Sequence, residues 1–323
     1  GGHMMQNSLL LAISLLLSGC QPQNHQQNTH QATQHNQQNT SSTTTQNQPL
    51  KIITPDWAIA STLTAMGYPP VAVGDVKIYP DWVGKPELPS QTIDLGARSY
   101  PNPERLAQLQ PDMIIDNDFY AHLRPLYSDT PHTTVFFGSY GDIATWQNYA
   151  ETTKKLGEII NQPKQAEAFL IESKQKLHEL GFMFRQKNPD IQKIAVVNFA
   201  DANNLRIYAN NSLFKPATQE MGLSLITLED KMGQANMWGI VSITLGDLAK
   251  LDQQTCLVVV EPFSPMLYQD LKDTLLWQRL GYANNLCMTV IKPLWVYGGI
   301  SSMVTFGERL NEATFQGKIA NAQ

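Results

Sequence analysis

The sequence predicts an α/β fold of two lobes with mainly parallel sheets, joined by one long α-helix. Strands alternate with helices after residue 50, a pattern typical of parallel sheets with crossover helices. The run 164–187 has apolar residues at helical spacing and is the longest predicted helix. It would span roughly 36 Å at 1.5 Å per residue. Because similar lengths of chain flank it, we interpret it as a spine between two lobes; an ordinary crossover helix is the alternative.

The first twenty residues have the pattern of a processed leader. Gly1–Met4 resembles the remnant of an expression tag. The apolar run Leu9–Leu17 is too short to cross a bilayer, and it leads into Ser18, Gly19 and Cys20. This ending resembles the lipobox of bacterial lipoprotein precursors, although no Lys or Arg precedes the apolar run. Residues 1–20 are therefore predicted to be tag and signal peptide, with Cys20 as the lipid-attachment site.

Residues 21–49 are predicted to form a disordered linker of Gln, Asn and Thr. The segment has no charged residue and no large apolar residue, so it cannot bury enough surface to offset the entropy of ordering. His25, His30 and His35 recur every five residues, and histidine-rich tracts sometimes bind metal. Their spacing fits no regular secondary structure, which favours a plain linker.

The N-terminal lobe is predicted over residues 50–163. Short apolar runs indicate strands at 50–54, 71–76, 93–95, 113–116 and 133–137. Helices are predicted at 58–66, 103–109, 119–127 and 143–160. Pro163 then supplies a start signal for the spine helix, and Asn188-Pro189 ends it.

The C-terminal lobe is predicted over residues 188–323. Strands are expected at 194–199, 205–208, near 225, and at 256–260 and 288–291. Helices are expected at 212–221, 245–251, 271–280 and 301–313. Cys256 and Cys287 lie in two apolar strand-like runs of this lobe. After export, a disulfide and a pair of buried thiols are equally compatible with this placement.

Charge and motifs exclude several classes of function. Every Lys, Arg, Asp and Glu follows residue 50, so the net charge of −5 belongs to the folded part. No basic patch with interleaved aromatic residues is present, which argues against nucleic-acid binding. The sequence also has no nucleophile elbow, phosphate-binding loop or acid–base pair, and no cluster with metal-ligand spacing. We therefore expect neither an enzyme nor a resident metal or cofactor.

Five residues form a candidate binding site. Trp82, Trp238 and Trp295 lie in loop-like sequence beside Gly or Pro, where an aromatic ring often meets a ligand. Arg98 and Tyr120 follow predicted strands. In parallel sheets ligands lie outside the carboxyl ends of the strands, so both residues are expected to face a cleft between the lobes. An Arg fork and a phenol together suit an oxygen-rich group.

Several segments together resemble a known family. They are DWVGKPELPSQTIDLGARSYPNPERL, NSLF, NMWGIVSIT, LLWQRL and PLWVYGGISSM. They are similar to the ferric hydroxamate siderophore-binding proteins of bacterial iron uptake, over about Leu50 to Phe315. These belong to the class III substrate-binding proteins of ABC importers, in which one long helix joins two lobes. The resemblance implies a monomeric lipoprotein, in the periplasm or at the cell surface, that delivers its cargo to an ABC importer permease.

The resemblance also assigns roles to residues. Arg98 and Tyr120 would contact the hydroxamates, and the aromatic walls would be Trp82, Trp238, Trp295 and Tyr297. The siderophore itself holds the iron in such proteins, so no protein ligand to the metal is expected.

Two acidic residues would contact the permease, one from each lobe. Glu104 matches the N-lobe pattern. Asp247 is the nearest C-lobe acid, although Gly246 occupies the matching position.

Three alternatives remain open from sequence. The same fold could bind a catecholate siderophore, haem or cobalamin, although catecholate complexes would require more basic residues in the cleft than Arg98 alone. An α/β enzyme acting on siderophores would need a nucleophile or cofactor loop. A surface interaction protein would present its aromatic residues as an exposed patch.

Overall fold

The computed structural model describes residues 49–281 and 286–319, and these form two α/β lobes on either side of one long helix. This confirms the predicted fold class. The predicted lipobox with Cys20 and the histidine tract lie outside the described residues.

The N-terminal lobe is built on a parallel sheet. Its strands are β1 Ile52–Thr54, β2 Ala72–Val73, β3 Ile93–Asp94, β4 Gly96–Ala97, β5 Tyr100–Pro101, β6 Met113–Asp116 and β7 His132–Thr134. Its helices are α1 Trp57–Ala65, α2 Tyr79–Trp82, α3 Pro103–Leu109, a 3-10 helix Asp118–Tyr127 and α4 Trp146–Ile159. The sheet has the order β3-β2-β1-β6-β7, while β4 and β5 form a separate hairpin. Arg98 lies in the turn of that hairpin.

The spine, α5, runs from Pro163 to Lys187. Its buried face carries Ala166, Leu170, Ser173, Leu177, Leu180, Gly181 and Phe184. Part of this face shares one apolar core with Tyr149 and Ala150 of α4 and with the C-terminal lobe. Because the spine packs against both lobes, it acts as a common support for them. Within the described ranges, no helix is both long and apolar enough to cross a bilayer.

The C-terminal lobe contains a mixed sheet. Its strands are β8 Lys193–Phe199, β9 Asn204–Tyr208, β10 Ser224–Leu225, β11 Ile240–Thr244, β12 Thr255–Val260 and β13 Met288–Ile291. Its helices are α6 Phe214–Met221, α7 Glu229–Met232, a 3-10 helix Leu245–Lys250, α8 Pro265–Lys272, α9 Leu275–Leu280 and α10 Ile300–Glu312. The order is β11-β9-β8-β12-β13, with β10 beside the start of β8. β9 and β11 are antiparallel to their neighbours, and the remaining pairs are parallel.

Several elements differ from the sequence prediction, which lacks the short helices α2 and α7 and the β4–β5 hairpin. The run 271–280 is divided between two helices, because Thr274 accepts a hydrogen bond from the backbone N–H of Trp277 and starts α9 as a new helix. The prediction lacks β11, which extends the sheet beyond β9. The strand expected at 133–137 ends at Thr134, where pairing with β6 stops.

Cys256 and Cys287 form a disulfide, which resolves the alternative left open by the sequence. The bond connects β12 to the residue before β13, and both cysteines are buried. Since 31 residues separate them, the bond restricts a sizeable loop of the unfolded chain.

Removing this disulfide is expected to lower the free energy of unfolding by about 2–4 kcal/mol, because the unfolded chain regains the entropy of an open loop. Guanidinium chloride unfolding of the protein and of the Cys256→Ala/Cys287→Ala double variant measures the difference. Dithiothreitol should lower the midpoint of the original protein and leave that of the double variant unchanged. Equal midpoints for both proteins would contradict the prediction.

Gly181 determines how closely the spine approaches α6. A Cβ atom at this position would lie 2.3 Å from the carbonyl oxygen of Met221 and 2.5 Å from its Cα. Both are backbone atoms, so the contact cannot be relieved by rotating a side chain.

Gly181→Ala is therefore expected to destabilise the protein by about 1–3 kcal/mol through overpacking. Helix propensity alone predicts the opposite sign, a gain of about 1 kcal/mol. The unfolding free energy distinguishes the two effects, and a more stable variant would show that the spine and α6 can separate without loss. Exposed Glu179 in the same helix offers a control, because Glu179→Ala should change stability little.

Candidate ligand-binding cleft

A cleft lies between the two lobes, and the space along its walls amounts to about 740 Å³ when the adjoining open solvent is included. The N-terminal lobe contributes residues that follow β1, β6 and β7, together with Arg98 from the β4–β5 turn. The C-terminal lobe contributes the loops after β9 and β13 and the segment before β11.

Arg98 lies at the centre of the N-lobe wall. Its Nη1 donates a hydrogen bond to the hydroxyl of Tyr120 at 3.2 Å. Its backbone N–H donates to Asp75 Oδ2 at 2.9 Å, and the same carboxylate oxygen lies 3.9 Å from Nε. The guanidinium also lies over two indole rings, 4.3 Å from the Trp57 centroid and 4.9 Å from that of Trp295. These contacts fix the plane of the guanidinium and leave its outer edge for a ligand.

Gly74 makes this position of Arg98 possible. A Cβ at Gly74 would lie 2.9 Å from both Arg98 Cγ and the carbonyl oxygen of Pro55. The carbonyl of Gly74 in turn accepts a hydrogen bond from Trp57 Nε1 at 2.8 Å. One small residue therefore allows the arginine and its supporting indole to lie against the strand end.

The floor beneath Arg98 consists of Tyr120, Asp56 and Asn117. Tyr120 is almost completely buried, and burial raises its pKa, so its hydroxyl remains protonated. Asp56 caps α1 by accepting a hydrogen bond from the N–H of Ile59 at 2.9 Å, and it accepts another from Asn117 Nδ2 at 2.9 Å. Burial raises the pKa of Asp56, while these hydrogen bonds act in the opposite direction.

Aromatic rings connect the two walls edge to face. From Trp57 in the N-terminal lobe the centroid distances are 4.7 Å to Trp295, then 5.3 Å to Tyr297. Tyr297 lies 6.3 Å from Trp238, which lies 6.2 Å from Phe136 in the N-terminal lobe. The cleft thus has a continuous aromatic lining that offers large contact area at low entropic cost.

Four buried donors at the cleft have no acceptor among the described residues. They are Arg98 Nε, Trp238 Nε1, Trp295 Nε1 and the Tyr297 hydroxyl. Burial also raises the pKa of Tyr297 well above its usual value, so that hydroxyl remains able to donate. Buried donors are normally paired with acceptors. These four unpaired donors therefore suit a ligand whose surface is rich in oxygen acceptors.

Five of the six residues proposed as ligand contacts line the cleft: Arg98, Tyr120, Trp238, Trp295 and Tyr297. Trp82 lies one layer further back. It is buried in a cluster with Trp57 and Tyr79, and its ring lies 6.3 Å from Trp295. In this structure Trp82 supports the Trp295 wall from behind.

The two proposed docking acids have different surroundings. Glu104 is exposed in the first turn of α3. Asp247 accepts hydrogen bonds from the N–H of Thr244 at 2.8 Å and from Lys250 Nζ at 2.6 Å. These bonds lower the pKa of Asp247, and its side chain is only 15 % exposed. The structure thus gives Asp247 a helix-capping role, whereas Glu104 is free to meet a partner.

Sequence reasoning missed other residues of the site. Asp56 lies two residues after β1, so the rule that selected Arg98 and Tyr120 could have selected it. Phe136 lies in the predicted strand 133–137, and Trp57 directly precedes the predicted helix 58–66, so both have the pattern of ordinary core positions.

Fold and site together define a two-lobe binding protein with a cleft for a small ligand. A family model described as periplasmic binding protein matches residues 52–285, and the chain belongs to this family. Membership confirms a binding protein rather than an enzyme and places its function outside the cytoplasm.

Individual relatives cover most of the chain. The iron(3+)-hydroxamate-binding protein FhuD of Escherichia coli K12 is 24% identical over 268 residues, which are 82% of this chain and 87% of the relative. The crystal structure of Vibrio cholerae FhuD with Fe3+–Desferal bound matches with a TM-score of 0.71 at 23% identity, covering 82% of this chain and 97% of that one. Staphylococcus aureus FhuD2 with bound ferrioxamine B matches with a TM-score of 0.63 at 17% identity, with the same coverage.

Proposed function

We propose that the protein captures a ferric hydroxamate siderophore in the inter-lobe cleft and delivers it to an ABC importer for iron uptake. The observation that carries the proposal is the Arg98–Tyr120 pair, which offers charge-assisted and phenolic donors within an aromatic cleft. In a ferric hydroxamate complex the oxygens surround the iron, and the outer surface combines acceptors with apolar linkers. The E. coli relative, named for binding such a complex, supports the same cargo.

The iron in this proposal is cargo and is coordinated by the siderophore. Among the described residues, no group of three His, Cys, Asp or Glu side chains could hold a metal ion. The residues that line the cleft instead provide donors and ring faces. The protein's role is to select the outer surface of the complex, with apolar burial contributing affinity and Arg98 contributing orientation.

A catecholate siderophore, haem or cobalamin is the alternative cargo for the same fold. A catecholate complex carries more negative charge than a hydroxamate complex. The cleft lining contains one basic side chain, Arg98, together with the carboxylate of Asp56. This balance favours the less charged hydroxamate complexes.

Delivery requires attachment near the importer. We propose that Cys20 carries the lipid anchor and that residues 21–49 tether the lobes to the bacterial membrane. Glu104 is the proposed N-lobe contact with the permease. For Asp247, a docking role would require breaking its bonds to Thr244 and Lys250.

Titration with ferrichrome or ferrioxamine B tests the proposed function. Since Trp238 and Trp295 line the cleft, a bound ferric complex should quench intrinsic tryptophan fluorescence at micromolar ligand or below. The iron-free siderophores should bind much more weakly, because they lack the compact surface of the complex. No quenching by either ferric complex would overturn the proposal.

Arg98→Ala is expected to weaken binding by about 1.5–3 kcal/mol, which corresponds to roughly 10- to 150-fold in Kd. Arg98→Lys should recover only part of this loss, because an ammonium keeps the charge but loses the planar fork. Thermal unfolding of each variant serves as the folding control. An unchanged Kd in Arg98→Ala would remove this residue from the site.

Glu104→Ala is expected to leave the Kd for the siderophore unchanged and to reduce iron uptake by cells that depend on this protein. The carboxylate is exposed and is not among the residues that line the cleft, so only the docking step should suffer. Glu158→Ala, which removes an exposed acid from α4, is the matched control for net charge. Equal uptake by the two variants would argue against a docking role for Glu104.

A further inference from the structure

Asn211 contacts both walls of the cleft through its side-chain amide. It follows β9, lines the cleft and is only 8% exposed. Its Nδ2 donates hydrogen bonds to the carbonyl of Tyr140 in the N-terminal lobe at 2.9 Å and to that of Asn236 in its own lobe at 2.8 Å. These two bonds use both N–H groups of the amide. They also determine its orientation, because the flipped amide would place Oδ1 against two carbonyl oxygens.

The oxygen of this amide has no hydrogen-bond donor among the described residues. Asn211 Oδ1 is buried and unpaired, and an amide oxygen can only accept, whereas the four other buried unpaired atoms of the cleft lining belong to groups that donate. Asn117, the other asparagine of the lining, has both polar atoms paired. Its Oδ1 accepts from the N–H of Phe119 and its Nδ2 donates to Asp56, each at 2.9 Å. A buried acceptor is normally paired, so Asn211 Oδ1 calls for a donor from outside the chain.

The position of this oxygen is fixed before a ligand binds. The N–H of Ala144 donates to the carbonyl of Asn210 at 2.8 Å, which ties the loop after β9 to the segment before α4. Tyr140 has a φ of 57°, a left-handed conformation that non-glycine residues rarely adopt, and its ring stacks on Phe136 of the cleft lining with the centroids 4.3 Å apart. The carbonyl that holds Asn211 therefore belongs to an anchored segment. A fixed acceptor pairs with a ligand donor at little further cost in conformational entropy.

We propose that Asn211 Oδ1 accepts a hydrogen bond from a linker amide N–H of the siderophore and makes the cleft selective for hydroxamate siderophores with secondary amides in their linkers. This inference rests on the proposed function and deepens it. The hydroxamate oxygens around the iron are acceptors, so they cannot pair with Oδ1. An ammonium group could donate, but one neutral oxygen does not compensate a buried charge. A neutral amide N–H meets the requirement and agrees with a lining that contains few charged side chains.

A matched pair of neutral complexes isolates this hydrogen bond. In ferrioxamine E, hydroxamates alternate with secondary amides. An analogue with ester oxygens in place of the amide N–H groups keeps the iron-binding groups and nearly the same shape. The unmodified protein should bind the amide complex more tightly by roughly 3- to 10-fold, the effect of one neutral hydrogen bond. Tryptophan quenching gives both Kd values, and equal values would overturn the proposal.

Substitution of Asn211 shows whether this residue is the acceptor. Asn211→Leu should reduce the preference for the amide complex to less than about 1.5-fold. Asn210→Leu is the matched control, because Asn210 is the neighbouring asparagine and also has a buried unpaired Oδ1, but does not line the cleft. This control should retain the preference. A preference that survives in Asn211→Leu, or that disappears equally in Asn210→Leu, would overturn the proposal.

The two Nδ2 hydrogen bonds of Asn211 are also lost in Asn211→Leu, so this variant should bind both complexes more weakly. The ratio of the two Kd values is therefore the test. An equal loss of affinity for both complexes, with the ratio unchanged, would show a purely structural role and overturn the proposal. Asn211→Ala removes the amide without adding bulk and gives the same ratio test if thermal unfolding shows that Asn211→Leu does not fold.

The unmodified protein separates this inference from the function on which it rests. Binding of both complexes with equal Kd values would overturn the role of Asn211 and leave the ferric hydroxamate function in place. Binding of neither complex would instead overturn that function, and this inference with it.

Discussion

The guanidinium of Arg98 lies over two indole rings that belong to different lobes, and the geometry of the cleft depends on this contact. Trp57 begins α1 in the N-terminal lobe, while Trp295 comes from the loop after β13. The two rings also meet each other edge to face at 4.7 Å. The cation that should orient the ligand thus also takes part in the contact between the lobes. Arg98 therefore helps to fix the relative positions of the hydrogen-bond donors on the two cleft walls before a ligand binds.

Other side-chain contacts also connect the two lobes. Asn211 donates from its side-chain amide to the carbonyl of Tyr140 across the cleft and to that of Asn236 in its own lobe. Lys85 pairs with Glu308 of α10 at 3.3 Å. Together with the spine, which shares a core with both lobes, these contacts favour small changes in cleft width. The aromatic chain from Trp57 to Phe136 can then remain continuous in the presence of cargo.

Sequence patterns alone predicted the fold class, the spine and most of the residues that line the cleft. Periodicity specified which face of the spine is buried, and the position of Arg98 and Tyr120 after strands placed them at the cleft. How deeply each side chain is buried was harder to infer from the sequence. Trp82 and Trp295 share the same loop-like context, yet packing places one behind the other. Arg206 lies in a short strand whose alternation suggests a solvated polar face, and only the neighbouring elements bury it. The sequence around Asp247 is typical of an exposed helix surface. Its hydrogen bond from the N–H of Thr244, however, depends on the turn that follows β11.

The disulfide has a consequence for how the exported chain matures. The whole sequence contains three cysteines, and two of them are joined between β12 and β13. If Cys20 is acylated as proposed, its sulfur becomes a thioether and can no longer exchange with other thiols. The remaining two cysteines then have one possible pairing within the chain. Oxidation outside the cytoplasm would therefore yield a single product, and the protein would need no isomerase to correct mispaired cysteines.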